Sequence, residues 1–140
     1  MTTVNPYLNF TGNCEQAFNF YKSVFGGQFQ TLMRFKEVPS QDHVPASEGD
    51  KLMHVALPIG QGTLLMGSDR IEAMGAGTRG DNFAISIQTD SEAEATRIFD
   101  GLAADGQVTM PLQETFWGAR FGMLIDKFGI QWMVNQENSR

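Results

Sequence analysis

Apolar and polar residues alternate along positions 4–10, Val-Asn-Pro-Tyr-Leu-Asn-Phe, the period-two pattern of a strand with one buried face. The period then changes. Ala17, Phe18, Tyr21, Val24 and Phe25 recur at three- and four-residue spacing, which makes one apolar stripe of a helix. Asn13, with Gln16 three positions later, has the capping-box spacing expected at its start. Gly26-Gly27 ends it, because glycine tolerates the left-handed cap conformation. Alternation resumes over 28–37, and a polar stretch with two prolines makes a loop of 38–50. Positions 51–59 and 63–67 read as a hairpin across Gly60-Gln61-Gly62, and the aperiodic, Gly- and Ala-rich 68–81 reads as a mobile loop.

The second half repeats this plan. Positions 82–88 alternate, Ser91-Glu92-Ala93-Glu94 has the form of a capping box, and Ala95, Ile98, Phe99 and Leu102 give the helix stripe. Asp105-Gly106 ends that helix, and strands follow at 107–112, 119–125 and 130–135. The Gly-Gln after each helix is offset by 79 residues, from 27 to 106, and the hairpin glycines by 67, from 62 to 129. A repeat of this kind constrains the fold more than a single motif does. The expected class is α+β: two βαβββ modules, about 1–70 and 80–140, pairing into a cup-shaped mixed sheet with the helices outside, in one domain spanning 1–140.

Alternation also assigns faces. Pro6, Leu8 and Phe10 are expected under the first helix, leaving Asn5, Tyr7 and Asn9 on the open face. Phe83, Ile85 and Ile87 take the helix side of the equivalent strand, and Ala84, Ser86 and Gln88 the open side. In the last strand Ile130, Trp132 and Val134 are expected to be covered, with Gln131, Met133 and Asn135 open. Met53, Val55, Leu57 and Ile59 share one side, opposite His54 and Ala56. Three open faces rich in amides and hydroxyls suit a ligand cup, since an unpaired polar group in a dry core costs ~1–3 kcal/mol. A merely solvated face is the alternative.

Bulk properties narrow the partners. At 140 residues and 41% hydrophobic content the chain is long enough for one sizeable core. A net charge of −6 argues against nucleic acid, whose binding needs a basic stripe. No apolar run reaches the ~20 residues that span a bilayer. The only cysteine, Cys14, excludes an internal disulfide, and no signal peptide is visible, so a cytoplasmic location is expected.

Several blocks, in order, resemble one family. They are Pro6-Tyr7-Leu8-Asn9-Phe10, Ala17-Phe18-Asn19-Phe20-Tyr21, Phe25-Gly26-Gly27, Lys51-Leu52-Met53-His54-Val55, Leu65-Met66-Gly67-Ser68-Asp69, Thr115-Phe116-Trp117-Gly118 and Asp126-Lys127-Phe128-Gly129. Together they resemble the PhnB-like branch of the vicinal oxygen chelate (glyoxalase/bleomycin-resistance/dioxygenase) superfamily, over nearly the whole chain. The resemblance implies a small-molecule ligand and a homodimer. It also implies metal ligands, His or Glu, at positions that fall here near Asn5 or Pro6, Met66, Ala84 or Phe83, and Met133. None of these offers the imidazole or carboxylate that a hard or borderline divalent ion prefers, so no metal and no cofactor are expected. PhnB-like proteins have been labelled 3-demethylubiquinone-9 3-methyltransferase-like, but no glycine-rich strand-to-helix turn suited to a methyl-donor nucleotide is present.

The candidate ligand contacts are therefore Tyr7, Asn9, His54, Met66, Ser86, Gln88, Trp117, Arg120, Gln131 and Met133. His54 is also the catalytic candidate, because its pKa range suits a general base, although a strand histidine is commonly structural. Glu114 and Asp69 are expected as solvated rim carboxylates. Phe116-Trp117-Gly118 suits stacking on a flat ligand or a dimer contact. Arg120 suits an anionic ligand group or a surface ion pair. His43 is expected in solvent, Cys14 in packing, and the eight methionines chiefly in core gaps. Two readings stay open: a binding protein without turnover, and an enzyme of isomerase, lyase or transferase type acting on a small metabolite.

Overall fold

The computed structural model describes residues 2–38 and 44–137. The chain divides into two compact units at Thr78–Arg79. In the first, strand β1 (Tyr7–Phe10) leads to helix α1 (Cys14–Phe25), then β2 (Thr31–Arg34), β3 (Leu52–Ile59) and β4 (Thr63–Asp69). In the second, β5 (Ile85–Thr89), α2 (Glu92–Ala103), β6 (Gln107–Glu114), β7 (Ala119–Ile125) and β8 (Gln131–Glu137) follow in the same order. Both sheets are mixed, ordered β1-β4-β3-β2 and β5-β8-β7-β6, with the first pair parallel in each. Each unit is thus a βαβββ module. Tyr7 lies beside Met66 and Ser86 beside Met133, and these equivalent pairs reproduce the sequence offsets of 79 and 67.

One face of each sheet carries the core. Leu8, Phe10, Val55, Leu57 and Leu65 are buried together with Ala17, Phe18, Tyr21 and Val24 of α1. Gly67 lets the helix approach: a Cβ there would stand 2.6 Å from the Phe18 ring. In the second unit Leu124, Trp132 and Val134 are buried with Ala95, Ile98, Phe99 and Leu102 of α2. Gly122 lies beneath Phe99 in the same way.

Two buried carboxylates fix the corners. Asp69, expected at a solvated rim, is 3% exposed and accepts from the amides of Gly12, Cys14 and Leu52 at 2.8–2.9 Å. It supplies the cap of α1 that Asn13 and Gln16 were expected to give, since the Asn13 side chain makes no cap bond. Asp126 accepts from the amides of Phe128 and Ile130 and from Trp132 Nε1 at 2.8–3.0 Å, and so locks the β7–β8 turn. The second helix starts as expected, with Ser91 Oγ accepting from the Glu94 amide. The Glu94 carboxylate, however, pairs with Arg97 instead of closing the box.

Other boundaries differ locally. The strand expected over 28–37 is only Thr31–Arg34, because Phe35–Glu37 turns into a 3-10 helix whose Glu37 carboxylate binds the Arg34 amide. The pairing slips between Met33 and Arg34, so Leu52, not Met53, takes the buried position. The loop expected at 68–81 is partly ordered. Ser68 and Asp69 extend β4, Ile71 is buried, and Glu48 Oε1 holds the Glu72 amide at 2.7 Å. Phe83, expected under the helix, precedes β5 and is 62% exposed. His43 lies outside the described residues. Among those residues no helix is long and apolar enough to cross a membrane.

Candidate functional site

The face of each sheet away from its helix gathers most of the candidate residues. In the first unit one cross-strand row reads Tyr7, Met66, Ala56, Thr31, and the next row brings Asn9, Ser68, His54 and Met33 to the same side. Period-two alternation put these side chains there, and α1 covers only the other face. Tyr7 and His54 meet across two strands: their rings stack at 5.7 Å with a 26° tilt, and Tyr7 Oη lies 3.2 Å from His54 Nδ1. With the proton on Nε2, Tyr7 donates and His54 accepts, leaving Nε2–H for another acceptor. Asn5, on the same side, is committed to structure, since its Oδ1 accepts from the Leu64 amide.

In the second unit Ser86, Met133, Met123 and Met110 form one row, and Gln88, Asn135, Phe121 and Gln113 the next. Asn135 Nδ2 donates to Gln88 Oε1 at 2.8 Å, and Gln131 Nε2 to the Phe83 carbonyl at 2.5 Å. The open face is therefore a thioether strip between amides. Phe121, Met123 and Ile125 were missed as open-face residues, although alternation through 119–125 carries the signal.

Two candidates stand apart. Arg120 points to the helix side, in register with buried Gln136, and its guanidinium reaches Glu92 of α2 at 3.6 Å. Its Nε and Gln136 Oε1 are buried without partners, a donor and an acceptor on neighbouring strands. Trp117 sits in the β6–β7 turn beside Phe116, their rings edge to face at 5.0 Å and exposed by 57% and 98%. Glu114 is exposed at the end of β6.

Cys14 and the Arg34–Glu15 pair are structural. Burial first, and then the charges of Asp69 and Glu15, push the Cys14 thiol up, so it resists ionisation. Arg34 grips Glu15 through both oxygens at 2.8 Å, tying β2 to α1 and holding the Glu15 carboxyl below its ordinary value.

The positions at which the resemblance implies metal ligands hold Asn5 or Pro6, Met66, Ala84 or Phe83, and Met133, none of them an imidazole or a carboxylate. Among the described residues no three His, Cys, Asp or Glu side chains converge elsewhere.

Comparison with known proteins places this geometry. The family model of the Glyoxalase/Bleomycin resistance protein/Dioxygenase superfamily matches residues 3–134. Protein YjdN of Escherichia coli (strain K12) is 34% identical over 140 residues, covering 94% of this chain and 93% of its own. The crystal structure of protein PA1353 from Pseudomonas aeruginosa superposes with a TM-score of 0.85 at 43% identity, covering 99% of this chain and 100% of that one. A PhnB protein from Bacillus cereus, described as a putative 3-demethylubiquinone-9 3-methyltransferase, gives 0.74 at 25% identity over 96% and 99% of the two chains.

Proposed function

Because the chain belongs to the Glyoxalase/Bleomycin resistance protein/Dioxygenase superfamily, we propose that it binds a small organic molecule on its open sheet faces without using a metal. The observation that carries this reading is the pair of methionines at equivalent positions, Met66 beside Tyr7 and Met133 beside Ser86. Where the superfamily would place imidazole or carboxylate, both modules present a polarizable thioether. Such a group makes favourable contacts with apolar and aromatic ligands and is a poor donor to hard cations. Amides and hydroxyls around each thioether (Asn9 and Ser68, Gln88 and Asn135) provide the few directional contacts that orient a ligand.

The test is to dialyse the protein against Mn, Fe, Co, Ni and Zn in turn, remove free ion by gel filtration, and measure metal and organic content. The expected result is no stoichiometric metal, together with thermal stabilisation by small organic compounds. One tightly held metal per module would overturn the reading.

The Tyr7–His54 pair supports a second reading, an enzyme in which His54 acts as general base and Tyr7 orients the imidazole. In that case His54→Ala abolishes turnover of a bound compound while leaving the melting temperature nearly unchanged. Equal turnover by the variant removes His54 from the chemistry. Methyl transfer gains no support. The amides of Gly12 and Cys14, at the start of α1 where a donor's anionic group would be received, are already taken by Asp69.

A further inference from the structure

A cleft of about 380 Å³ opens at one end of the second unit's sheet, lined by Arg79, Gly80, Asp81, Ile125, Gly129 and Gln131. That volume lies within the usual range for small-molecule sites. Ile125 and Gln131 are cross-strand partners whose side chains point to the open face, so the cleft continues the Met123–Met133 strip.

Its charged walls are not absorbed by the fold. Among the described residues Arg79 and Asp81 make no ion pair and no hydrogen bond, with each other or with a neighbour. Yet Arg79 is placed. Its guanidinium packs against the backbone at Gly129, where any Cβ would collide with it. The platform beneath is rigid, because Asp126 holds the amides of Phe128 and Ile130, and the Gly129 amide donates to the Asp126 carbonyl at 2.9 Å. Gln131 is oriented too: its Nε2 is committed to the Phe83 carbonyl, which leaves Oε1 as an acceptor. The cleft therefore offers a planar cationic fork, a carboxylate, an amide oxygen and an apolar wall at Ile125.

We infer that this cleft binds a small zwitterion, an amino acid in the broad sense, with its carboxylate on Arg79 and its protonated amine between Asp81 and Gln131. A guanidinium fork matches a carboxylate in two parallel hydrogen bonds, and an ammonium needs only acceptors, which Asp81 and Gln131 supply. The inference rests on the reading of the open face as a surface for organic ligands, and adds the class of ligand.

The experiment titrates 6-aminohexanoate, hexanoate and hexylamine into the full chain and follows backbone amides and methionine methyls by NMR. The expected result is saturable shifts at residues 79–81 and 129–131 with 6-aminohexanoate, at lower concentration than with either single-charge analogue. Arg79→Gln weakens that binding about tenfold or more. Asp81→Asn weakens it about two- to fivefold and leaves hexanoate unaffected. Unchanged resonances elsewhere show that both variants fold. Equal binding of hexanoate and 6-aminohexanoate, or binding indifferent to Arg79→Gln, overturns the inference. If the Met123 and Met133 methyls still shift in those cases, the open-face reading survives. Silence at the methyls and at residues 79–81 and 129–131 with all three compounds overturns both.

Discussion

Single side chains decide the corners of this molecule. Asp69 satisfies three backbone amides, those of Cys14 and Leu52 in buried hydrogen bonds and that of Gly12 in a part-buried one, and a buried amide left unpaired costs ~1–3 kcal/mol. Asp69→Ala is expected to lower stability by about 3 kcal/mol or more in denaturant titration; a change within ~0.5 kcal/mol would show that the amides find other partners. Glu48 behaves differently. The hydrogen bonds from Lys51 and then from the Glu72 amide hold its carboxyl below the ordinary 4.5. A carboxyl depressed in this way stabilises the fold above 4.5, and the contribution disappears as pH falls through the folded-state value. The gap in melting temperature between the wild type and Glu48→Gln should therefore be steady near neutrality and narrow below 4.5; a gap unaffected by acid would contradict this. The sequence showed that Asp69 is a carboxylate at a strand end. It did not show that the chain folds three separate amides onto it, because those partners lie 17–57 positions away.

At the scale of elements, alternation was a good guide wherever a strand runs straight. It placed Leu8 and Phe10 under the helix, left Tyr7 and Asn9 open, and assigned the faces of β8 from Gln131 to Asn135. It failed where the pairing slips, as at Met33–Arg34, because one extra residue reverses the side on which later side chains point. It misplaced Phe83 by starting β5 too early. The helix–sheet contact depends on a missing side chain. At Gly67 a Cβ would lie 2.6 Å from a Phe18 ring carbon and 3.0 Å from the Leu8 carbonyl oxygen, so Gly67→Ala should cost about 1–3 kcal/mol. Thermal unfolding checks this, and an unchanged midpoint would mean that α1 shifts freely on the sheet. Arg120 illustrates the limit for the candidate site. The sequence left open an anionic ligand or an ion pair, and the strand's register turned the side chain toward Glu92. Arg79 and Asp81 carried no periodic signal, since both fall in the stretch between modules.

For the whole molecule, the internal repeat was the most legible feature, because its two offsets together carry the Tyr7–Met66 pairing of one module onto the Ser86–Met133 pairing of the other. The repeat also separates the chromophores. Tyr7 and Tyr21, the chain's two tyrosines, lie in the first unit; Trp117 and Trp132, its two tryptophans, lie in the second. One indole is immersed and bonded to Asp126, and the other stands in solvent. Tryptophan emission thus reports on one half of the protein alone, and an aqueous quencher reaches Trp117 while sparing Trp132. Circular dichroism registers both halves. If its melting curve coincides with that of the buried indole, the units unfold together; if the curves separate, each half has its own transition, measurable without labels or truncation.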